Sequence, residues 1–528
     1  MLRSVLRRAV VAPRVSMAAR RSFGGSAPVG RPSLDTAGVA TPPVPLVVGK
    51  KEGKEEGTIA SVFATLSGGT LEDALPDRFA QLKRSLVTSA SHAEHLERTW
   101  RSVLRALAVQ VEETARSGGA CIPEVEFPAT AGRVGGVHEW TDAATYAAIK
   151  QRGVAVIRNV IPQHEVLQWK EDIRAYAARN GAKGFPDDNP QVYELYWTRA
   201  QLAARSHPNL LTTAQRFLQL FHRPSSSRED VGVERACSLD HPLTYVDRLR
   251  IRQPGDAKFA LGPHIDGGGV ERWECDQFRA LWSSILREGE QWEAHDPWSL
   301  GAGGERMTAQ TDMYAGPGQC GVFRPLQGWL SMSSTRAGEG TLKVLPFLRE
   351  STAYIVLRPF FTPLKPLPDC TSRAEFLAPH NWTLDTTSRK FPGCSLGHNI
   401  ELAPALDHTM VSIPRVEPGD MVLWHCDAVH SVEATHAGTQ DSSVLYIPAI
   451  PTTKVNWEYV LHQRECFERG VPPPDFPGGK GESAFTGRGT PDMVQGKQAR
   501  LSLGLERFDV EKGEKREKGL LEWCNAQL

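Results

Sequence analysis

From Leu243 to about residue 455 the chain is cut into short apolar runs separated by proline and glycine: 246–252, 319–333, 340–345, 352–359, 411–416, 420–424 and 443–448. Runs of this length between turn residues read as strands of a β-sandwich or barrel. The flanks differ. Leu82 and Leu86, then Leu96, Trp100, Leu104, Leu107 and Val111, recur every three or four residues and predict helix over 76–117, stopped by Gly118-Gly119. Helices are expected over 140–150, 165–179, 198–221 and 457–469, with one strand over 153–162. The expectation is an α+β protein divided into residues 1–23, a linker over 24–75, a mainly helical region over 76–235, a β core over 236–455 and a helical extension over 456–528.

Composition limits the function. The 61 Lys+Arg balance 61 Asp+Glu in 528 residues, which disfavours a general nucleic-acid binder. No uninterrupted apolar run approaches the ~18–20 residues of a membrane span, so a membrane partner is not expected. Nine cysteines form no C-x-x-C pair, which disfavours a zinc ribbon, a thioredoxin-type pair and a disulfide framework. Residues 1–34 hold seven arginines, no lysine and no acid. Such a start, with Leu2, Val5, Leu6, Ala9, Val10 and Val11 between the arginines, reads as a mitochondrial transit peptide and predicts the matrix as location.

The strongest chemical pattern is Gly262-Pro263-His264-Ile265-Asp266-Gly267-Gly268-Gly269, followed by Gly419-Asp420 through Trp424-His425-Cys426-Asp427 to His430. An H-x-D pair on a strand points both side chains to one face. A histidine from a distant strand would complete a two-histidine, one-carboxylate set with open positions, the arrangement of non-haem Fe(II) oxygenases. With 16 His and 61 acids, chance gives roughly two H-x-[DE] pairs, and the chain has four: 92/94, 95/97, 264/266 and 425/427. The first two fall in a helical pattern, where i and i+2 diverge, and are expected to be solvated. The pair 264/266 is preferred over 425/427 because a glycine cluster beside it leaves room for a ligand. Spacing alone leaves open whether His425 or His430 is the third ligand.

Several segments resemble the phytanoyl-CoA-hydroxylase-like branch of the 2-oxoglutarate oxygenases: 153–161, His264-x-Asp266, Gly340 to Pro346, and Gly419-Asp420 through His430. Tyr196-Trp197 with Gln201 and Arg205, Gly269 to Trp273, Phe323 to Trp329 and Tyr446-Ile447-Pro448 are similar to the YbiU-like family of unknown function in the same superfamily. The resemblance spans roughly 80–510. It implies a double-stranded β-helix (jelly-roll, cupin-like) core, Fe(II) held by His264, Asp266 and His430, and His425 as an inner-wall residue or one supporting the ligands from behind. The resemblance further implies 2-oxoglutarate and O2 as co-substrates of an oxygenase acting on an unidentified small molecule.

One departure stands out. Phytanoyl-type enzymes place an arginine about ten residues after the last histidine to hold the far carboxylate of 2-oxoglutarate, whereas 438–444 reads Gly-Thr-Gln-Asp-Ser-Ser-Val. A buried carboxylate needs a cationic or hydroxyl partner. Arg324 with Ser443 is the expected substitute; Lys343 and the alternating Arg248, Arg250 and Arg252 are the others, although alternating charge on a strand ordinarily faces solvent. Glu271, Arg272, Trp329 and His425 are candidate substrate-pocket residues, with a surface ion pair the ordinary alternative for Glu271 and Arg272. Two other functions fit the same core: a binding or sensor protein without turnover, and a cupin-type metal enzyme that does not use 2-oxoglutarate.

Overall fold

The computed structural model describes residues 75–128, 136–187, 189–224, 232–258, 261–316, 319–394, 400–401, 409–476, 479–512 and 515–528. All lie in one compact unit, 47–528; the predicted address and, except for Leu75, the predicted linker fall outside the described residues.

Thirteen of the described strands build two sheets. In chain order they are β1 (Glu124–Glu126), β2 (Val154–Arg158), β3 (Gly184–Phe185), β4 (Val192–Tyr193), β5 (Leu249–Arg252), β6 (His264–Ile265), β7 (Leu326–Ser331), β8 (Leu342–Val344), β9 (Ile400–Glu401), β10 (Val411–Ser412), β11 (Met421–His425), β12 (His430–Val432) and β13 (Ser442–Tyr446). The larger sheet runs β1-β2-β11-β7-β13-β5-β4-β3 and the smaller runs β9-β6-β12-β8-β10. The chain passes between them repeatedly: β5 to β6, β7 to β8, β11 to β12, β12 to β13. These crossings bring residues 166 positions apart into register, so that His430 stands opposite His264.

The longer helices are α1 (Arg78–Leu86), α2 (Ala90–Ser117), α3 (Ala143–Arg152), α4 (Gln163–Asn180), α5 (Arg199–Ser206), α6 (Pro208–Leu218), α7 (Leu348–Leu357), α8 (Lys454–Arg469) and α9 (Lys518–Ala526). Their ends follow local chemistry. The Ser89 side chain accepts from the His92 amide at the start of α2, Thr198 and Gln201 form a capping box on α5, and Gly153 and Gly181 close α3 and α4 in the left-handed conformation. Among the described residues no helix is long and apolar enough to cross a membrane.

Two expectations are corrected. Residues 352–359 are not a strand: Thr352 to Leu357 belong to α7, buried all round against α2. An apolar run without polar alternation has no period that separates a buried strand from a buried helix. His92 and His95 are not solvated either. Both are buried on the inner face of α2 while Glu94 and Glu97 face out, and His92 Nε2 meets the Leu286 carbonyl at 2.6 Å.

The first core cluster fills the space around the larger sheet, and a second joins α2 to 270–292 and α7. In the second, Trp100 stacks on Phe361 at 4.8 Å and on Tyr354 at 5.3 Å.

Candidate metal centre

The register defines which side chains look toward the smaller sheet. Trp424 pairs with Gln327 and Val422 with Trp329; Trp329 pairs with Tyr446, and Ser331 with Val444; Val444 pairs with Arg250. Paired residues share a face and alternate residues return to it. One face therefore carries Trp424, Gln327, Trp329, Tyr446 and Arg250. It is the inner one, since the Trp424 ring lies 5.2 Å from that of His430 in the smaller sheet.

On that smaller sheet His264, His430 and Val344 stand in register. Asp266 follows β6 where Gly267 and Gly268 turn the chain at φ +76 and +94, a conformation that favours glycine. One donor atom each from His264, Asp266 and His430 lies within 4.8 Å of the others. His264 Nε2 is 3.7 Å from Asp266 Oδ1 and His430 Nε2 is 3.8 Å from Asp266 Oδ2.

The far side of each ring fixes its tautomer. His264 Nδ1–H donates to the Gly262 carbonyl at 2.7 Å, and His430 Nδ1–H to the Ala428 carbonyl at 3.1 Å. Both Nε2 lone pairs are thereby left for the centre, as a metal-binding imidazole requires. Burial, then His264, hold the His430 imidazole down at about 4, so it is neutral near pH 7. Burial alone would raise the Asp266 carboxyl, but His430, Arg324 and His264 outweigh it and leave it below the ordinary carboxylate range. Two imidazoles that present Nε2 and one carboxylate fit a divalent transition metal.

A cavity of about 50 Å³ opens beside Asp266, lined by Arg272, Arg306, Arg324, Gln327 and Asp427 among others. Arg324 Nη2 lies 3.4 Å from Asp266 Oδ2, its guanidinium sits over the Tyr245 ring, and its Nε is buried without a hydrogen-bond partner among the described residues. Arg306 and Leu281 also line a larger cleft of about 1040 Å³ with His222, Asp296 and Glu305.

The other anticipated residues take different places. Trp329 is on the inner face. His425 ends β11 one residue after inward-facing Trp424 and therefore points out. There it stacks on Phe221 at 5.1 Å, donates from Nε2 to Pro297 O at 3.0 Å and accepts at Nδ1 from the Asp427 amide at 3.0 Å. Both nitrogens are used, so it does not reach the cluster. Ser443 pairs with Ile251 on the outer face and donates to Asp441, so its hydroxyl is turned away. Lys343 pairs with Ser431 and likewise alternates away from His430.

Glu271 and Arg272 are not a surface pair. Both are buried; Glu271 accepts from the Gly269 amide at 2.6 Å and from Gln319 at 3.1 Å, and Arg272 pairs with Asp427 at 2.8 Å. The Arg250–Arg252 row is also buried and not a solvated face. Sequence reasoning weighed Asp427 only as a rival metal ligand and missed Arg306 and the ion pairs of Asp427 with Arg272 and Arg306; their only signal is that charged residues in an apolar neighbourhood need partners.

Fold and site together define an α+β protein with a two-histidine, one-carboxylate cluster, its histidines buried and Asp266 partly exposed, held between two sheets. The chain belongs to the Gig2-like family, which matches residues 73–505. It is 31% identical to the uncharacterised Escherichia coli (strain K12) protein YbiU over 374 residues, covering 68% of this chain and 80% of YbiU. Among solved structures it is similar to GlcNAc Inducible Gene 2 (GIG2) from Candida albicans, with 30% identity and a TM-score of 0.72 over 85% of this chain and 94% of the other. The Escherichia coli hypothetical protein JW0805 gives 26% identity and a TM-score of 0.66 over 82% of this chain and 99% of the other.

Proposed function

We propose that the protein is an Fe(II)- and 2-oxoglutarate-dependent oxygenase of the double-stranded β-helix type, acting on a small molecule with O2. The observation that carries the reading is the His264, Asp266, His430 cluster, with both Nε2 atoms freed by backbone acceptors behind them. Fe(II) in that place supplies the redox chemistry. The chain holds the ion, keeps Asp266 ionised through Arg324, and shields the centre with Trp424 and Trp329.

Charge supports an anionic co-substrate. The cavity beside Asp266 sets Arg272, Arg306 and Arg324 against the carboxylates Asp266 and Asp427, so a divalent ion there leaves a cationic excess that a dicarboxylate offsets. Arg324 is nearest the centre, and Tyr446 and Arg250 extend the polar floor along the inner face. The larger cleft that shares Arg306 is the proposed approach for the main substrate. The missing arginine after His430 favours, as a second reading, a metal site that does not use 2-oxoglutarate, either a cupin-type enzyme or a sensor. Residues 1–23 are proposed as a mitochondrial address.

Anaerobic addition of Fe(II) and then 2-oxoglutarate separates these readings. A weak visible charge-transfer band that requires both additions is expected. Fe(II) binding with no such band, and no succinate formed in air, would replace the proposal with the second reading.

A further inference from the structure

The two segments that carry the proposed ligands come from distant parts of the chain, 264–266 and 430, and within the smaller sheet they meet at a single pair in register. A second connection lies outside the sheet. Arg272, six residues after Asp266, donates from Nη1 to Asp427 Oδ1 at 2.8 Å, and Asp427 is three residues before His430. The other arm of the same guanidinium, Nη2, donates to the main-chain carbonyls of Asp266 and Gly267, each at 3.3 Å. One arginine thus holds the backbone of the Asp266 turn with one hand and the turn before His430 with the other.

Both partners are fixed from behind. Arg272 and Asp427 are each 2% exposed at the side chain. The guanidinium lies over the rings of Phe278 and Trp282, at 5.0 and 5.7 Å. The second carboxylate oxygen of Asp427 accepts from Arg306 at 3.0 Å, and Arg306 is anchored on the carbonyls of Pro297 and Ser299. Burial alone would raise the Asp427 carboxyl; Arg306 and Arg272 hold it well below the ordinary range. A planar fork is what this task needs, because two separate acceptors must be met at once; a lysine ammonium is a point charge without that geometry.

We propose that Arg272 and Asp427 are positioning residues of the metal centre: their ion pair staples the Asp266 turn to the His430 strand and sets the spacing of the three donors. The proposal rests on the reading that His264, Asp266 and His430 bind a metal. Its magnitude should be that of other groups that orient metal ligands, on the order of 10–100-fold in affinity.

The test uses the full chain and Co(II), whose visible spectrum reports ligand geometry. Wild type and His264→Ala come first. If they bind Co(II) equally, the metal reading itself has failed, a different result from failure of the staple. Arg272→Met and Asp427→Asn are expected to bind Co(II) 10–100-fold more weakly, with altered bands. Arg272→Lys keeps the charge but not the fork and should fall between them and wild type. Glu482→Gln loosens another buried carboxylate, one that accepts from Tyr176, Tyr196 and Trp197. It should lower thermal stability yet leave affinity and spectrum unchanged. Should Arg272→Met and Asp427→Asn fail to fold, Arg272→Lys decides alone. Wild-type affinity and bands in Arg272→Lys, or an equal loss in Glu482→Gln, would overturn the proposal.

Discussion

At the residue scale the decisive contrast is between His425 and His430. Five positions apart in one strand they would face opposite sides, but they belong to different sheets. His425 closes β11 and His430 opens β12, with the turn between them at 426–429. Each nitrogen of His425 already has a main-chain partner, whereas His430 spends only Nδ1. His264→Ala and His430→Ala should therefore abolish stoichiometric metal, measured by elemental analysis of the purified chain, while His425→Ala keeps it. The last variant should instead unfold more easily, by about 2–4 kcal/mol in urea, for the lost packing against Phe221 and the unpaired Pro297 carbonyl. Metal loss in His425→Ala at full folding would reverse the assignment. The H-x-D pair was legible because strand period constrains it. The duty of His425 was not, because a two-sheet crossing inside a twelve-residue motif, 419–430, leaves no periodic trace.

At the element scale, charged side chains tie helix to sheet and sheet to edge. Gly419 turns at φ +99, where an added Cβ would come within 2.1 Å of the Ile161 carbonyl. Asp420 then accepts from the amides of Asn159 and Glu417, each at 2.9 Å. The Gly-Asp pair thus starts β11 at a fixed height beside β2. Helix α4 is tied by Lys170, which donates to Asp441 at 2.9 Å and to Ser333 at 3.0 Å. Burial alone would raise the Asp441 carboxyl, but hydrogen bonds from Lys170, Ser443 and Ser333 hold it at about 2. A carboxyl depressed in the folded state contributes stability above its unfolded value, and this is lost as pH falls through the folded value. Lys170, Ser443 and Ser333 together should therefore contribute about 2 kcal/mol near neutrality and lose that between about pH 4 and 2, with Lys170 supplying part of it beside Arg174, which also reaches Asp441 at 2.9 Å. Urea midpoints of wild type and Lys170→Met across this range should converge toward pH 2; a gap independent of pH would refute the assignment. The strands around this tie were readable from Pro/Gly spacing, and the end of α2 from Gly118-Gly119; the break between α5 and α6 at His207-Pro208 was not read. The α7 segment was not, because complete burial removes the polar alternation on which such reading depends.

At the scale of the whole molecule, zero net charge joins two unlike parts. Residues 1–23 hold six arginines and no acid, so the remaining chain has 55 bases against 61 acids. The family match begins at residue 73, which leaves the arginine-rich start outside the part shared with the family. A cationic, acid-free, amphipathic segment of this kind would respond to membrane potential and to acidic import receptors. Residues 1–34 fused ahead of a fluorescent reporter should therefore enter mitochondria in eukaryotic cells. The same fusion with Arg3, Arg7, Arg8, Arg14, Arg20 and Arg21 changed to Gln should stay diffuse, because the attraction is electrostatic and scales with the positive charge. Full-length protein recovered from those cells should begin near Gly24, giving a chain with a net charge of −6. Equal import of the six-Gln fusion, or an intact Met1 on protein recovered from mitochondria, would show that the leader is a tail of another kind, and the location of the proposed oxygenase would have to be argued from its substrate instead.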